Sequence, residues 1–128
     1  MARVLGIGGV FVKSKNPDGL RAWYREMLGV TIESWGGAQL QGETGTYAVW
    51  SPFAAESKYF EPSAKEFMVN FRVDNADALA ADLEAKGVVV LDRRHASEQG
   101  IFRYVVDPDG TLLELWQPPA TGGGARDS

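Results

Sequence analysis

Apolar and polar positions along the chain follow one plan twice over. An apolar, β-rich run from Val4 to Val12 comes first, and Asn16-Pro17-Asp18 then marks a helix start. Asn16 can cap free backbone N–H groups, Pro17 has its φ pre-set for a first turn, and Asp18 suits the positive end of the helix dipole. Leu20, Trp23, Tyr24, Met27 and Leu28 follow at i, i+3, i+4, i+7 and i+8, the stripe of a helix packed on one face. Gly29 supplies a left-handed stop.

The second half repeats the first. Phe67 to Val73 is β-rich, Asp74-Asn75 offers a cap, and Leu79, Ala80 and Leu83 form a stripe; Gly87-Val88 ends this helix as Gly29-Val30 ends the other. After each helix the pattern predicts three short strands, at 30–35, 37–41 and 46–51, then at 88–91, 101–106 and 112–117. Glu43-Thr44-Gly45 and Asp107-Pro108-Asp109-Gly110 read as hairpin turns, and the polar run 92–100 as a connection between strands. The expected fold is α+β, two βαβββ repeats at 4–53 and 66–118 forming curled mixed sheets around a cavity. Neither half has enough core alone, so the halves must pair within the chain or across a dimer. Between them, residues 52–65 carry Phe53, Tyr59, Phe60 and two prolines, the composition of a loop that closes over something.

Composition narrows the functional classes. At 128 residues and 45% hydrophobic content the chain fits one domain over residues 1–120; the glycine-rich tail, 121–128, has nothing to bury and is expected to be disordered. A net charge of -4 gives no electrostatic ground for nucleic acid or an anionic membrane as partner. The absence of cysteine excludes disulfides, thiolate metal sites and a cysteine nucleophile. The opening apolar run is too short to span a bilayer and lacks a cleavage-site pattern, so a cytoplasmic protein is expected. Gly6-Ile7-Gly8-Gly9 lacks the full dinucleotide fingerprint and lies within a strand, which rejects a nucleotide reading.

Two motifs carry a likeness. Ala22 to Val30, with Trp23-Tyr24 and Leu28-Gly29, resembles the helix end of the vicinal oxygen chelate superfamily of glyoxalases, bleomycin-resistance proteins and extradiol dioxygenases. Asp107-Pro108-Asp109-Gly110-Thr111-Leu112-Leu113-Glu114-Leu115-Trp116 resembles its closing strand. The likeness covers residues 4–118 and points to a single-domain bacterial-type member. It implies a metal held by histidine or glutamate on the first and last strands of each half. On the flanking pattern the first-strand positions fall at Gly9 and Met68, which cannot ligate a hard divalent ion. The first half's last strand turns Ala48 or Trp50 inward, depending on register, and only Glu114 remains of the family's ligands. A catalytic divalent site needs about three protein ligands, so no metal site and no cofactor are assigned.

With Glu114 inward as the resemblance implies, Leu112 and Trp116 share its face by the two-residue period, while Glu66, Asn70 and Arg72 share that of Met68. The expected ligand-binding residues are Gly9, Trp50, Phe53, Met68, Asn70, Arg72, Glu98, Tyr104 and Trp116. Glu114 is the candidate catalytic residue, a general base if it meets a ligand and an inert carboxylate if Arg72 or Asn70 pairs with it. His95, the sole histidine, is expected in a solvated loop. Trp35, Trp50, Phe53, Tyr59 and Phe60 read either as an aromatic clamp or as core. The leading function is a metal-independent, homodimeric binding protein of the bleomycin-resistance type for a small hydrophobic or aromatic molecule. The alternatives are a metal-dependent lyase, isomerase or dioxygenase using Glu114, and a structural or regulatory dimer without ligand.

Overall fold

The computed structural model describes residues 2–42 and 45–120. In the first half β1 spans Val4–Ser14, α1 Pro17–Leu28, β2 Ala38–Gln41 and β3 Tyr47–Ala54. In the second, β4 spans Phe67–Val73, α2 Ala76–Ala85, β5 Val89–Ser97, β6 Gly100–Val106 and β7 Leu112–Gln117. All strands join one seven-stranded sheet in the order β2-β3-β1-β4-β7-β6-β5, with β2 and β5 as open edges. β1 runs parallel to β3, β4 parallel to β7, and the halves meet where β1 and β4 pair antiparallel. The pairing of halves is therefore made within the chain.

Local chemistry sets the helices. The Asn16 side chain accepts from Gly19 N at 3.0 Å, Pro17 opens α1, and Gly29 closes it at φ 70°. Asn75 caps α2 in the same way, accepting from Ala78 N at 3.0 Å. The helices differ in how they pack. α2 buries Ala76 and Ala80, the former packed with Val73, Val105 and Leu115, whereas α1 buries no residue fully and stacks Tyr24 on Trp50, 4.0 Å between ring centroids.

Two expectations are corrected. Residues 30–35 form no strand: after Gly29 the chain reaches a turn in which Glu33 N bonds to Gly37 O at 2.8 Å and Arg21 Nε to Gly36 O at 2.7 Å, and pairing with β3 begins only at Ala38. The polar run 92–100 is mostly strand, because β5 continues to Ser97 and only Glu98 and Gln99 make the turn into β6. Asp77 on α2 holds β5 and β6 there, accepting from Arg94 Nη2 at 2.8 Å and from Arg103 Nη1 at 2.8 Å. Of the expected turn at 43–45, Gly45 has φ 80°, while Glu43, Thr44 and the tail 121–128 lie outside the described residues.

The helices cover the outer face of the sheet. On the inner face, Phe60, Met68, Tyr104 and Leu112 form a buried cluster flanked by Phe11, Phe53, Tyr59 and Phe102, so the segment between the halves is folded into one end of the trough. The other end stays open.

Candidate binding site

A cavity of about 430 Å³ occupies that open end, lined from six strands by residues that include Gln39 on β2 and Phe102 on β6. Five strand spacings separate β2 from β6, about 24 Å in a flat sheet, so only a curled sheet brings both to one space.

Glu114 stands at the floor, 3% exposed. The parallel register of β4 and β7 puts it beside Asn70, whose Nδ2 donates to Oε1 at 2.7 Å. Tyr59, from the segment between the halves, donates to Oε2 at 2.6 Å. Tyr104 Oη lies 2.6 Å from Tyr59 Oη, and since the Tyr59 hydrogen goes to the carboxylate, Tyr104 is the donor of that pair. Burial, reinforced by the charge of Glu114, pushes both phenols above their ordinary value, so both remain protonated. The Arg93 guanidinium lies over the Tyr104 and Tyr59 rings, 4.1 and 5.1 Å from their centroids, and Nη2 donates to Tyr59 O at 3.2 Å. This clamp holds the segment between the halves against β5 and β6.

Asn70 has one orientation compatible with these partners: with Nδ2 on the carboxylate, Oδ1 faces Gly8 and has no hydrogen-bond partner among the described residues. A register shift between Ile7 and Gly9 sets Gly8 as an extra residue in β1. Any Cβ at Gly8 would overlap Asn70 Oδ1 and crowd Trp116. The walls are aromatic. Trp116 stacks on Phe102 with 6.2 Å between centroids, meets Tyr47 edge-on at 5.6 Å, and fixes its indole N–H on Gln99 O at 2.8 Å.

Of the residues expected to bind a ligand, the cavity gathers Asn70 and Trp116 beside Glu114. Gly9 lies next to the bulge, against Val49 and Phe11, and Gly8 lines the space in its stead. Met68 and Tyr104, both 0% exposed, belong to the packed end, as does Phe53, stacked on Tyr59 at 5.4 Å. Trp50 is on the outer face under α1: β3 pairs Gly9 with Val49, so Tyr47 and Val49 turn inward, and neither Ala48 nor Trp50 does. Arg72 reaches over Gly6 and does not pair with Glu114; Glu98 is exposed in the β5–β6 turn. His95 is exposed as expected, but on a strand, 5.8 Å from the Tyr104 ring. Reasoning from sequence missed Gly8, Tyr47, Val49, Gln39 and Gln99, whose places depend on the bulge and on strand register. Tyr59 stood out only as an aromatic, with nothing local to tie it to Glu114.

The side chains present do not fit a divalent metal. Among the described residues no three His, Cys, Asp or Glu side chains come together. Gly9 and Val49, paired between β1 and β3 as Asn70 and Glu114 are between β4 and β7, offer no side-chain ligand, which leaves Glu114 the one carboxylate lining the cavity among the described residues.

Comparison with known proteins agrees with the architecture. Methylmalonyl-CoA epimerase from Mycobacterium tuberculosis superposes with a TM-score of 0.65 at 19% identity, over 91% of this chain and 89% of that one. A Streptomyces coelicolor methylmalonyl-CoA epimerase variant in complex with 2-nitronate-propionyl-CoA gives 0.68 at 19% identity, over 92% and 100%. The Mn(II)-bound glyoxalase from Novosphingobium aromaticivorans gives 0.56 at 20% identity, over 91% of this chain and 40% of that larger one. No curated protein matches in sequence. The glyoxalase-like domain family matches residues 9–116, nearly the whole of the two repeats, and the chain belongs to that family.

Proposed function

We propose that this protein is a metal-independent binder of a small hydrophobic or aromatic molecule, working as a homodimer. The observation that carries the reading is the state of Glu114: both its oxygens accept hydrogen bonds from neutral side chains of the same chain, at the floor of a cavity that Phe11, Trp35, Tyr47, Phe102 and Trp116 help to wall. The cavity of about 430 Å³ is in the range of small-molecule sites, and its apolar walls with few polar groups match their usual make-up. Epimerases of the same fold bind acyl-CoA ligands, which supports a small molecule as the partner class. Bulky Met68 and Phe60 fill one end of the trough, as a ligand-free structural dimer requires, but the space beside Trp116 argues for a ligand.

The test is elemental analysis of untagged protein purified without chelator, with melting curves before and after EDTA. Substoichiometric metal and an unchanged melt are expected, together with melts raised by members of an aromatic small-molecule library. Near-stoichiometric metal whose removal lowers the melt would overturn the reading in favour of a metal-dependent enzyme anchored on Glu114.

A further inference from the structure

We infer that the ligand is an organic cation: an aromatic molecule carrying a protonated amine or amidine nitrogen that meets Glu114 at the cavity floor. The inference rests on the small-molecule reading above and names the ligand's chemistry. A buried carboxylate is ordinarily paired with a cation or bound to a metal, because its desolvation is otherwise uncompensated. Glu114 is 3% exposed, yet its hydrogen-bond partners are a neutral amide and a neutral phenol, and no ion pair among the described residues includes it. The guanidinium of Arg93 is engaged with the Tyr59 and Tyr104 rings, and that of Arg72 lies over Gly6. Among the described residues, the Glu114 carboxyl group thus meets no cationic side chain at the end of an open cavity.

The surroundings select the same chemistry. Asn70 is 3% exposed, and its Oδ1 is a second acceptor without a partner among the described residues, so the polar floor offers lone pairs where a donor-rich head group would fit. Tyr59 has already turned its one hydrogen to the carboxylate and Asn70 one of its two, so the floor offers more acceptors than donors. The faces of Trp116 and Phe102, with Phe11, Tyr47 and Trp35, supply the electron-rich walls that attract a cation, and room for a ring attached to it. A ligand headed by a carboxylate would set two like charges together in a buried site.

The experiment is calorimetric titration of the full chain with three probes of one shape: 2-naphthylmethylamine, 2-naphthalenemethanol and 2-naphthoate. The amine is expected to bind at least about tenfold more tightly than the alcohol, the increment of one charge-assisted hydrogen bond, with the carboxylate weakest. Glu114→Gln is expected to erase the amine's advantage over the alcohol. Equal or tighter binding of the alcohol or the naphthoate to the unaltered protein would overturn the inference while leaving the small-molecule reading intact. Failure of all three to bind would overturn both. Should the variant not fold, the order of the three affinities in the unaltered protein decides the matter alone.

Discussion

Asn70 and Glu114 are register partners on adjacent parallel strands, and the Asn70 amide donates to Glu114 Oε1 at 2.7 Å while its own oxygen fills the space above Gly8. The glycine and the asparagine are thereby one device: the bulge residue has no side chain so that the amide can stand where it holds the carboxylate. Asn70→Ala, which leaves a buried carboxylate oxygen short of a donor, is expected to cost about 1.5–3 kcal/mol. Gly8→Ala, which forces Asn70 aside, is expected to cost about 1–3 kcal/mol by overpacking. The double variant should cost clearly less than the two together, because the added methyl then enters vacated space. Urea denaturation of the four proteins checks this, and strict additivity would mean that the two positions do not act on one another.

Tyr59 and Tyr104 make the opposite end of the Glu114 network sensitive to alkali. Their folded-state pKa values are raised above the ordinary 10.0, first by burial and then by the charge of Glu114. A raised pKa means that the unfolded chain releases protons before the folded one does, so the stabilisation is intact below about pH 10 and declines as pH rises beyond it. Absorbance titration of the phenolates should therefore fall short of all four tyrosines until the protein unfolds. In Tyr59→Phe the shortfall should shrink, with a loss of about 1.5–3 kcal/mol at neutral pH as Glu114 Oε2 is left without its donor. Ordinary titration of every tyrosine in the folded protein would contradict this account of the network.

At the acid end the group to watch is Asp77. Hydrogen bonds from Arg94 and Arg103 hold its carboxyl down to about 2, against an ordinary 3.8. Here the unfolded chain takes up the proton first, so the stabilisation is complete above about pH 4 and is lost as pH falls toward 2. The side chain is 43% exposed, so solvent screening keeps the effect modest. Melting curves of the unaltered protein and Asp77→Asn are expected to differ by a constant amount from pH 5 upward and to converge near pH 2. A gap that persists unchanged at low pH would assign the loss to packing instead of charge.

Much of the fold was legible because its signals are local. The caps at Asn16 and Asn75, the glycine stops and the Asp107–Gly110 turn each act within a few residues. So does the alternation that turns Leu112, Glu114 and Trp116 to one face. What stayed hidden is set by partners distant in the chain. Whether Tyr47 and Val49 or Ala48 and Trp50 face inward depends on how β3 meets β1, and a one-residue slip reverses every side chain. The extra residue at Gly8 is invisible in a run of glycines. The 30–35 segment has strand-forming residues but finds no neighbour to pair with, and the 92–100 run looks like a loop because its charges pair with α2 and not with solvent alone.

α1 is where the expected apolar stripe and the structure part company, and the mismatch leads to a testable interface. Its periodicity is that of a packed helix, yet Trp23, Met27 and Leu28 are 50%, 65% and 59% exposed, and on the outer face of β1 Ile7 and Val10 are 48% and 39% exposed. Apolar surface of that kind is costly to leave in water, and a homodimer formed through it would return the stripe to the role its spacing implies. Light scattering coupled to gel filtration should give a dimer mass for the unaltered protein. Trp23→Glu combined with Met27→Glu should shift it toward monomer at micromolar concentration, since truncating a buried interface anchor costs about 2 kcal/mol or more. Neither side chain is buried within the chain, so far-UV circular dichroism should be unchanged and the shift attributable to assembly. A dimer that survives both substitutions would place the interface elsewhere on the sheet, and a monomeric unaltered protein would remove the homodimer from the proposed function altogether.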